Sequence, residues 1–209
     1  MAVFYARDVL GNADLYIAMT GVQTVAMVAP AALVPAAVRR VGKKRAYVLS
    51  GVVGAVAALG FALAPGSVPA LGIACYGVLG VGFGAINALI FALQADTVEY
   101  GEWKSGVRAQ GASYAVLSFT RKAGQGIGGA AAAYTIGIGG YVSGAAGQTD
   151  AAVASIKIAA GIVPAVAVAA AVAVMLAYPL TEKAFRAVVA ELAERRAAQA
   201  VSAPAVART

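Results

Sequence analysis

The stretch from Ala151 to Tyr178, AAVASIKIAAGIVPAVAVAAAVAVMLAY, decides the fold class. Lys157 is its only charge. A bilayer core about 30 Å thick is crossed by about 20 apolar residues in a helix. The stretch lacks the strict apolar–polar alternation of a membrane barrel strand. In lipid every backbone polar group must be satisfied internally, so a helix is the remaining reading.

Four further stretches have a comparable length: Leu15 to Val38, Ala46 to Ala64, Val68 to Leu93, and Ala112 to Gly137. The last of these carries Arg121 and Lys122 in its interior. The whole chain of 209 residues is 61% hydrophobic and only 12% charged, with a mean hydropathy of +0.82. Soluble domains are about a quarter charged, so a water-facing surface cannot be assembled here. The expected fold is an all-α polytopic membrane bundle of five full spans. Its parts are residues 1–13, the end of a further, truncated helix with an external loop; 14–180, the five-span bundle; and 181–209, a cytoplasmic tail. Within the tail, Thr181 to Arg196 reads as an amphipathic helix and Ala197 to Thr209 as disordered. The opening residues, with Arg7 and Asp8, do not read as a signal peptide.

The net charge of +7 would point to nucleic acid in a soluble protein, but in a membrane bundle Lys and Arg collect in cytoplasmic loops. Nucleic acid is therefore not an expected partner, whereas the lipid bilayer is. Five positive charges fall within Arg39-Arg40-Val41-Gly42-Lys43-Lys44-Arg45. Lys104 and Arg108 follow the third span, and Lys183, Arg186, Arg195, Arg196 and Arg208 lie in the tail. All these clusters share one side, which places the carboxyl terminus in the cytoplasm. A multi-pass protein of a cell inner membrane or plasma membrane is expected. The chain has no His and a single Cys75, which argues against His-based triads, most zinc or haem sites and any disulfide framework. No catalytic residue, metal site or resident cofactor is expected.

The most informative loop is Ala95 to Gly129, ADTVEYGEWKSGVRAQGASYAVLSFTRKAGQGIGG. An acidic pair, Asp96 and Glu99, precedes Tyr100-Gly101-Glu102, Lys104 and Val107-Arg108, and a helix bearing Lys122 follows. This arrangement resembles the loop between the tenth and eleventh helices of the glycoside–pentoside–hexuronide:cation symporter family. Val9 to Leu15, the basic loop Arg39 to Arg45 and Tyr178-Pro179-Leu180-Thr181-Glu182-Lys183 fit the same pattern. The phrases Ala95 to Lys104 and Ser118 to Lys122 look closest to the glucuronide carriers. The resemblance covers essentially the whole chain and implies the carboxyl-terminal half of a major-facilitator-type fold. It further implies sugar symport coupled to H⁺ or Na⁺, with a sugar or glycoside, a coupling cation and an amino-terminal half as partners. The amino-terminal half carries the family's acidic cation site.

On that resemblance Lys122 lies near the sugar and cation sites, where it could pair with a glucuronide carboxylate. The alternative is that Lys122 and Arg121 snorkel to the cytoplasmic interface. Neighbouring residues point about 100° apart on a helix, so both cannot line one narrow stripe. Ser118 and Gln125 share roughly the face of Lys122 and suit either sugar hydroxyls or helix–helix hydrogen bonds. Asn87 is a weaker sugar-binding candidate in the third span. Asp96, Glu99, Tyr100, Glu102, Lys104 and Arg108 read as a cytoplasmic gate, or else as a solvated loop whose pairs contribute little. Gly124, Gly126, Gly128 and Gly129 read as a face for close helix packing. The rival to a working carrier half is a truncated, transport-inactive membrane protein, or a subunit that needs a separately encoded amino-terminal half.

Overall fold

A computed structural model describes residues 1–145 and 147–202, and among them every regular element is helical. Helix α1 spans Ala2–Phe4 and continues as a wider π turn over Tyr5–Val9. The long helices are α2 (Leu15–Val41), α3 (Lys43–Leu63), α4 (Pro69–Ser105), α5 (Gln110–Ile138) and α6 (Asp150–Leu176). The tail forms α7 (Glu182–Ser202). Helices α2, α3, α4 and α6 are each long and apolar enough to cross a membrane. Helix α5, with 29 residues, has the length but is not among those four. The protein is an all-α polytopic membrane bundle.

Two boundaries differ from the sequence reading in an informative way. Helix α4 does not stop near Leu93 but runs on to Ser105. At 1.5 Å per residue its 37 residues extend about 55 Å, far beyond a bilayer core of about 30 Å. Asp96, Glu99 and Glu102 end the apolar run without ending the helix: Lys43 partners Asp96, Arg108 and Arg196 partner Glu102, and the backbone ladder continues. Gly106, at φ +74°, closes α4 with its N–H donating to the Glu102 carbonyl, the left-handed cap that glycine supplies at little cost. In the tail, helix continues through Ser202, so Ala197–Ser202 is helical where disorder is expected; residues 203–209 lie outside the described residues.

The core is built on close backbone approach. Helix α3 is central and packs on α4 and α6, while α2 packs on α4. Where α3 crosses α4, a Cβ on Gly82 would lie 2.7 Å from Gly54 Cα. A Cβ on Gly161 would lie 2.5 Å from the Ala58 carbonyl oxygen. Gly161 sits in the π turn Ile158–Ile162 of α6, just ahead of Pro164. Such a turn accommodates a proline whose missing N–H and ring would otherwise disrupt the ladder.

The short α1 segment is part of this core. Tyr5 and Ala6 are fully buried, and Tyr5 stacks on Phe61 at 4.0 Å between ring centroids. The Tyr5 hydroxyl donates to the Phe61 carbonyl at 2.8 Å. Four residues beyond Phe61 stands Pro65, which has no N–H to give that carbonyl. Tyr5 fills the vacancy, and Lys157 Nζ does the same for the Ala64 carbonyl at 2.9 Å.

Candidate functional site

Helix α5 holds most of the residues singled out for substrate binding, and it is the least covered of the long helices. Only Ala132 and Ile136 are buried on it. Ser118, Lys122 and Gln125, at spacings of four and three, share one face and are all exposed. Gly124, Gly126, Gly128 and Gly129 meet nothing within 4 Å. Among the described residues that glycine face packs against no helix. The close-packing glycines are instead Gly51, Gly54, Gly82, Gly84 and Gly161 on α3, α4 and α6.

The structure brings Arg121 and Asn87 together. Asn87 Nδ2 donates to the Phe83 carbonyl one turn back at 3.0 Å, which fixes the amide and turns Oδ1 toward α5. Arg121 Nη2 donates to that Oδ1 at 2.6 Å, and the guanidinium lies 5.6 Å from the centroid of Phe91. Phe91 follows Asn87 by one turn and is half exposed. Arg121 lies about 17 Å along α5 from Gln110. An amide and an aromatic face there hold a cation that retains further donors for an anion or hydroxyls. Toward the basic end, Gln94 Nε2 donates to Ser113 Oγ and so ties α4 to α5. The sequence reading missed Phe91, which is one apolar residue among many until α5 is placed beside it.

Of the six residues read as a gate, three enter two separate ion-pair groups. Asp96 is buried and receives both contacts of Lys43 Nζ, at 2.6 and 2.8 Å. Lys43 opens α3, so this pair joins α3 to α4; the ammonium also lies 4.8 Å from the centroid of Phe185 on α7. Glu102 accepts from Arg108 Nη1 at 2.9 Å and from Arg196 Nε and Nη2 at 3.0 and 2.7 Å. Tyr100 stacks near Trp103 at 5.7 Å, Glu99 is half-buried and Lys104 is exposed. The network is therefore less local than the loop sequence implies, because two of its cations come from Lys43 and Arg196.

The tail contributes more than the sequence suggests. Trp103 Nε1 donates to Glu191 at 2.8 Å, and Arg195 Nη1 donates to the Trp103 carbonyl at 3.0 Å. The bond from Trp103, with Arg195 beside it, holds the Glu191 carboxyl below its ordinary value. Helix α7 is thereby clasped to the protruding end of α4. Helix α7 buries Val188 and Leu192, but nothing in its sequence identifies α4 as the surface it meets.

The profile of the family described as MFS/sugar transport protein matches residues 1–182. The glucuronide carrier protein homolog of Escherichia coli (strain K12) is 36% identical over 199 residues, covering 95% of this chain and 43% of that protein. The isoprimeverose transporter of Lactiplantibacillus pentosus is 34% identical over 146 residues, 68% of this chain and 30% of that protein. A putative sulfoquinovose importer of Salmonella typhimurium is 32% identical over 196 residues, 93% of this chain and 41% of that protein. The chain spans less than half the length of these relatives.

Proposed function

Since the chain belongs to the MFS/sugar transport protein family, we propose that it works as the carboxyl-terminal half of a sugar:cation symporter. The cargo in this reading is a glucuronide or a related glycoside, carried with H⁺ or Na⁺ across a cell inner or plasma membrane. The names of the glucuronide carrier homolog and the sulfoquinovose importer support an anionic sugar, and that of the isoprimeverose transporter a neutral glycoside. The observation that carries the proposal is the open face of α5, with Lys122, Ser118 and Gln125 exposed in a row beside the Arg121–Asn87 contact. A charged and polar face within a membrane bundle is costly against lipid. It suits a water-filled cavity between two helical bundles, where transporters of this architecture bind their substrates.

Alternating access then has two bundles rocking about this face. Lys122 or Arg121 pairs with an acidic group on the cargo, and Ser118 and Gln125 read its hydroxyls. The Asp96 to Arg108 region forms the inner gate, on the cytoplasmic side with the carboxyl terminus. The cation site lies in the partnering amino-terminal half. A second reading is a transport-inactive membrane protein, or a subunit that needs a separately encoded amino-terminal half.

The test is uptake of a labelled glucuronide into cells lacking their own carrier. The chain is expressed alone, and together with a six-helix amino-terminal half taken from the glucuronide carrier homolog. Uptake only with both halves, collapsed by a protonophore or by Na⁺ removal, supports the symporter. An inert pair in which both halves reach the membrane refutes it.

A further inference from the structure

The basic loop between α2 and α3 takes part in a recess that the transport reading does not use. A cavity of about 240 Å³ lies between the start of α3 and the start of α7, lined by Gly42, Lys43, Lys44, Arg45, Glu182 and Lys183 among others. Lys43 is already committed to Asp96. Lys44 Nζ donates to the carbonyls of Leu176 and Tyr178, both at 2.8 Å, where α6 ends. That leaves one of its three donors. Arg45 and Lys183 are exposed, and among the described residues no carboxylate lies within ion-pair distance of either. Helix α3 has no side-chain cap, because Gly42, at φ +81°, stands at its N-cap. Its first-turn amides therefore add donors and a positive dipole end to the same recess.

A second recess, of about 490 Å³, shares Lys44, Arg45 and Thr181 with the first and continues along Val48, Leu49 and Leu176. Residues 44, 45, 48 and 49 form one stripe of α3. Leu49 is 58% exposed and Leu176 60% exposed. The combined site is thus cationic at the end of the bundle and apolar along the membrane-spanning flank of α3 and α6.

We propose that this site binds an anionic phospholipid, with the phosphate and headgroup held by Lys44, Arg45 and Lys183 and an acyl chain lying along Val48, Leu49 and Leu176. Basic recesses between membrane helices are suited to such headgroups. The apolar continuation favours a lipid over a free phosphate, which has nothing to place there. Glu182, the one carboxylate in the lining, leans toward Arg186 at 3.9 Å and is partly offset by it. The bound lipid ties the starts of α3 and α7 to the end of α6. The proposal rests on the membrane bundle and is independent of which sugar is carried.

The experiment uses the full chain, purified in detergent and stripped of lipid. It is titrated with phosphatidylglycerol, phosphatidylcholine or inorganic phosphate and read by native mass spectrometry. The expected result is one retained phosphatidylglycerol, bound at least tenfold tighter than phosphatidylcholine. Replacing both Arg45→Gln and Lys183→Gln should weaken it on the order of thirtyfold, taking each surface cation at its usual worth near an anionic lipid. The charge-conserving pair Arg45→Lys and Lys183→Arg should retain it. Leu49→Asn, polar but uncharged, should weaken phosphatidylglycerol and leave inorganic phosphate unaffected. Circular dichroism of each variant distinguishes loss of the site from loss of the fold. Equal retention of both lipids, or unchanged binding in a folded Gln pair, overturns the proposal. So does competition by inorganic phosphate with no effect of Leu49→Asn, which makes this a free-phosphate site.

Discussion

Lys43 and Asp96 join the first turn of α3 to the point where α4 leaves its apolar run, with the ammonium 2.6 and 2.8 Å from the two carboxylate oxygens. Asp96 is almost enclosed, and a fifth of the Lys43 side chain reaches solvent. Removing one partner strands a largely desolvated charge. Asp96→Ala should therefore cost about 3 kcal/mol, the low end for breaking a buried pair, because Lys43 can turn partly to water. The double exchange Lys43→Asp with Asp96→Lys should recover part of that loss. Thermal unfolding of the detergent-solubilised chain measures both. A single substitution that leaves the unfolding midpoint unchanged would show that the pair does not brace α3 against α4.

The contact between Trp103 and Glu191 should make the tail sensitive to acid. Glu191 titrates below the ordinary Glu value of 4.5, chiefly because the indole N–H, then Arg195, favours the carboxylate. A depressed carboxylate stabilises the docked tail above that ordinary value, and the contribution disappears as pH falls through the folded-state value. Trp103 is the chain's only tryptophan, so its emission should shift as α7 loosens once the pH has fallen below the ordinary Glu value. Glu191→Gln should remove the shift, while a variant that titrates like the unaltered chain assigns it to another group.

Glycines that look alike in sequence should behave differently on substitution. Gly82→Ala drives a methyl into the backbone of Gly54 and Ser50, and Gly161→Ala drives one into Ala58 and Ala62. Overpacking of this kind costs typically 1–3 kcal/mol. Gly126→Ala and Gly128→Ala meet open space within this chain and, since Ala is the better helix former, should be neutral or slightly stabilising. Comparing the four unfolding midpoints decides the matter. In an assembled carrier, loss of uptake in Gly126→Ala with stability retained would show that the open face receives the second bundle.

Four of the five expected spans were legible because bilayer thickness imposes a length that an apolar run reports directly. Leu15 to Val38 and Ala46 to Ala64 fall within a few residues of α2 and α3. The overrun of α4 to Ser105 was not legible, since charge marks the end of the lipid environment and not the end of a helix. Of the candidate site, the shared face of Ser118, Lys122 and Gln125 was legible from their helical spacing, and all three are exposed on α5. Pairings across long separations were hidden. Lys43 could be read only as one charge of an orienting cluster, and nothing in its neighbourhood identifies Asp96, 53 positions away, as its partner. The clasp of Trp103 with Glu191 was hidden for the same reason, as was the service of Tyr5 to the carbonyl left free by Pro65.

The two adjacent cations of α5 should separate by role in the assembled carrier. Lys122 is exposed with Ser118 and Gln125 on its face, whereas Arg121 is held by Asn87 and lies against Phe91. Lys122→Ala should abolish glucuronide uptake while the protein still reaches the membrane, because the cargo carboxylate loses a charge-assisted partner. Arg121→Lys keeps the charge but loses the planar group that meets an amide and a ring together. It should raise KM several-fold and leave maximal uptake closer to normal. Asn87→Ala frees the same guanidinium and should resemble Arg121→Lys. Unaltered uptake in Lys122→Ala would move the anion-binding role to Arg121, and the Asn87 and Arg121 variants would then carry the large loss.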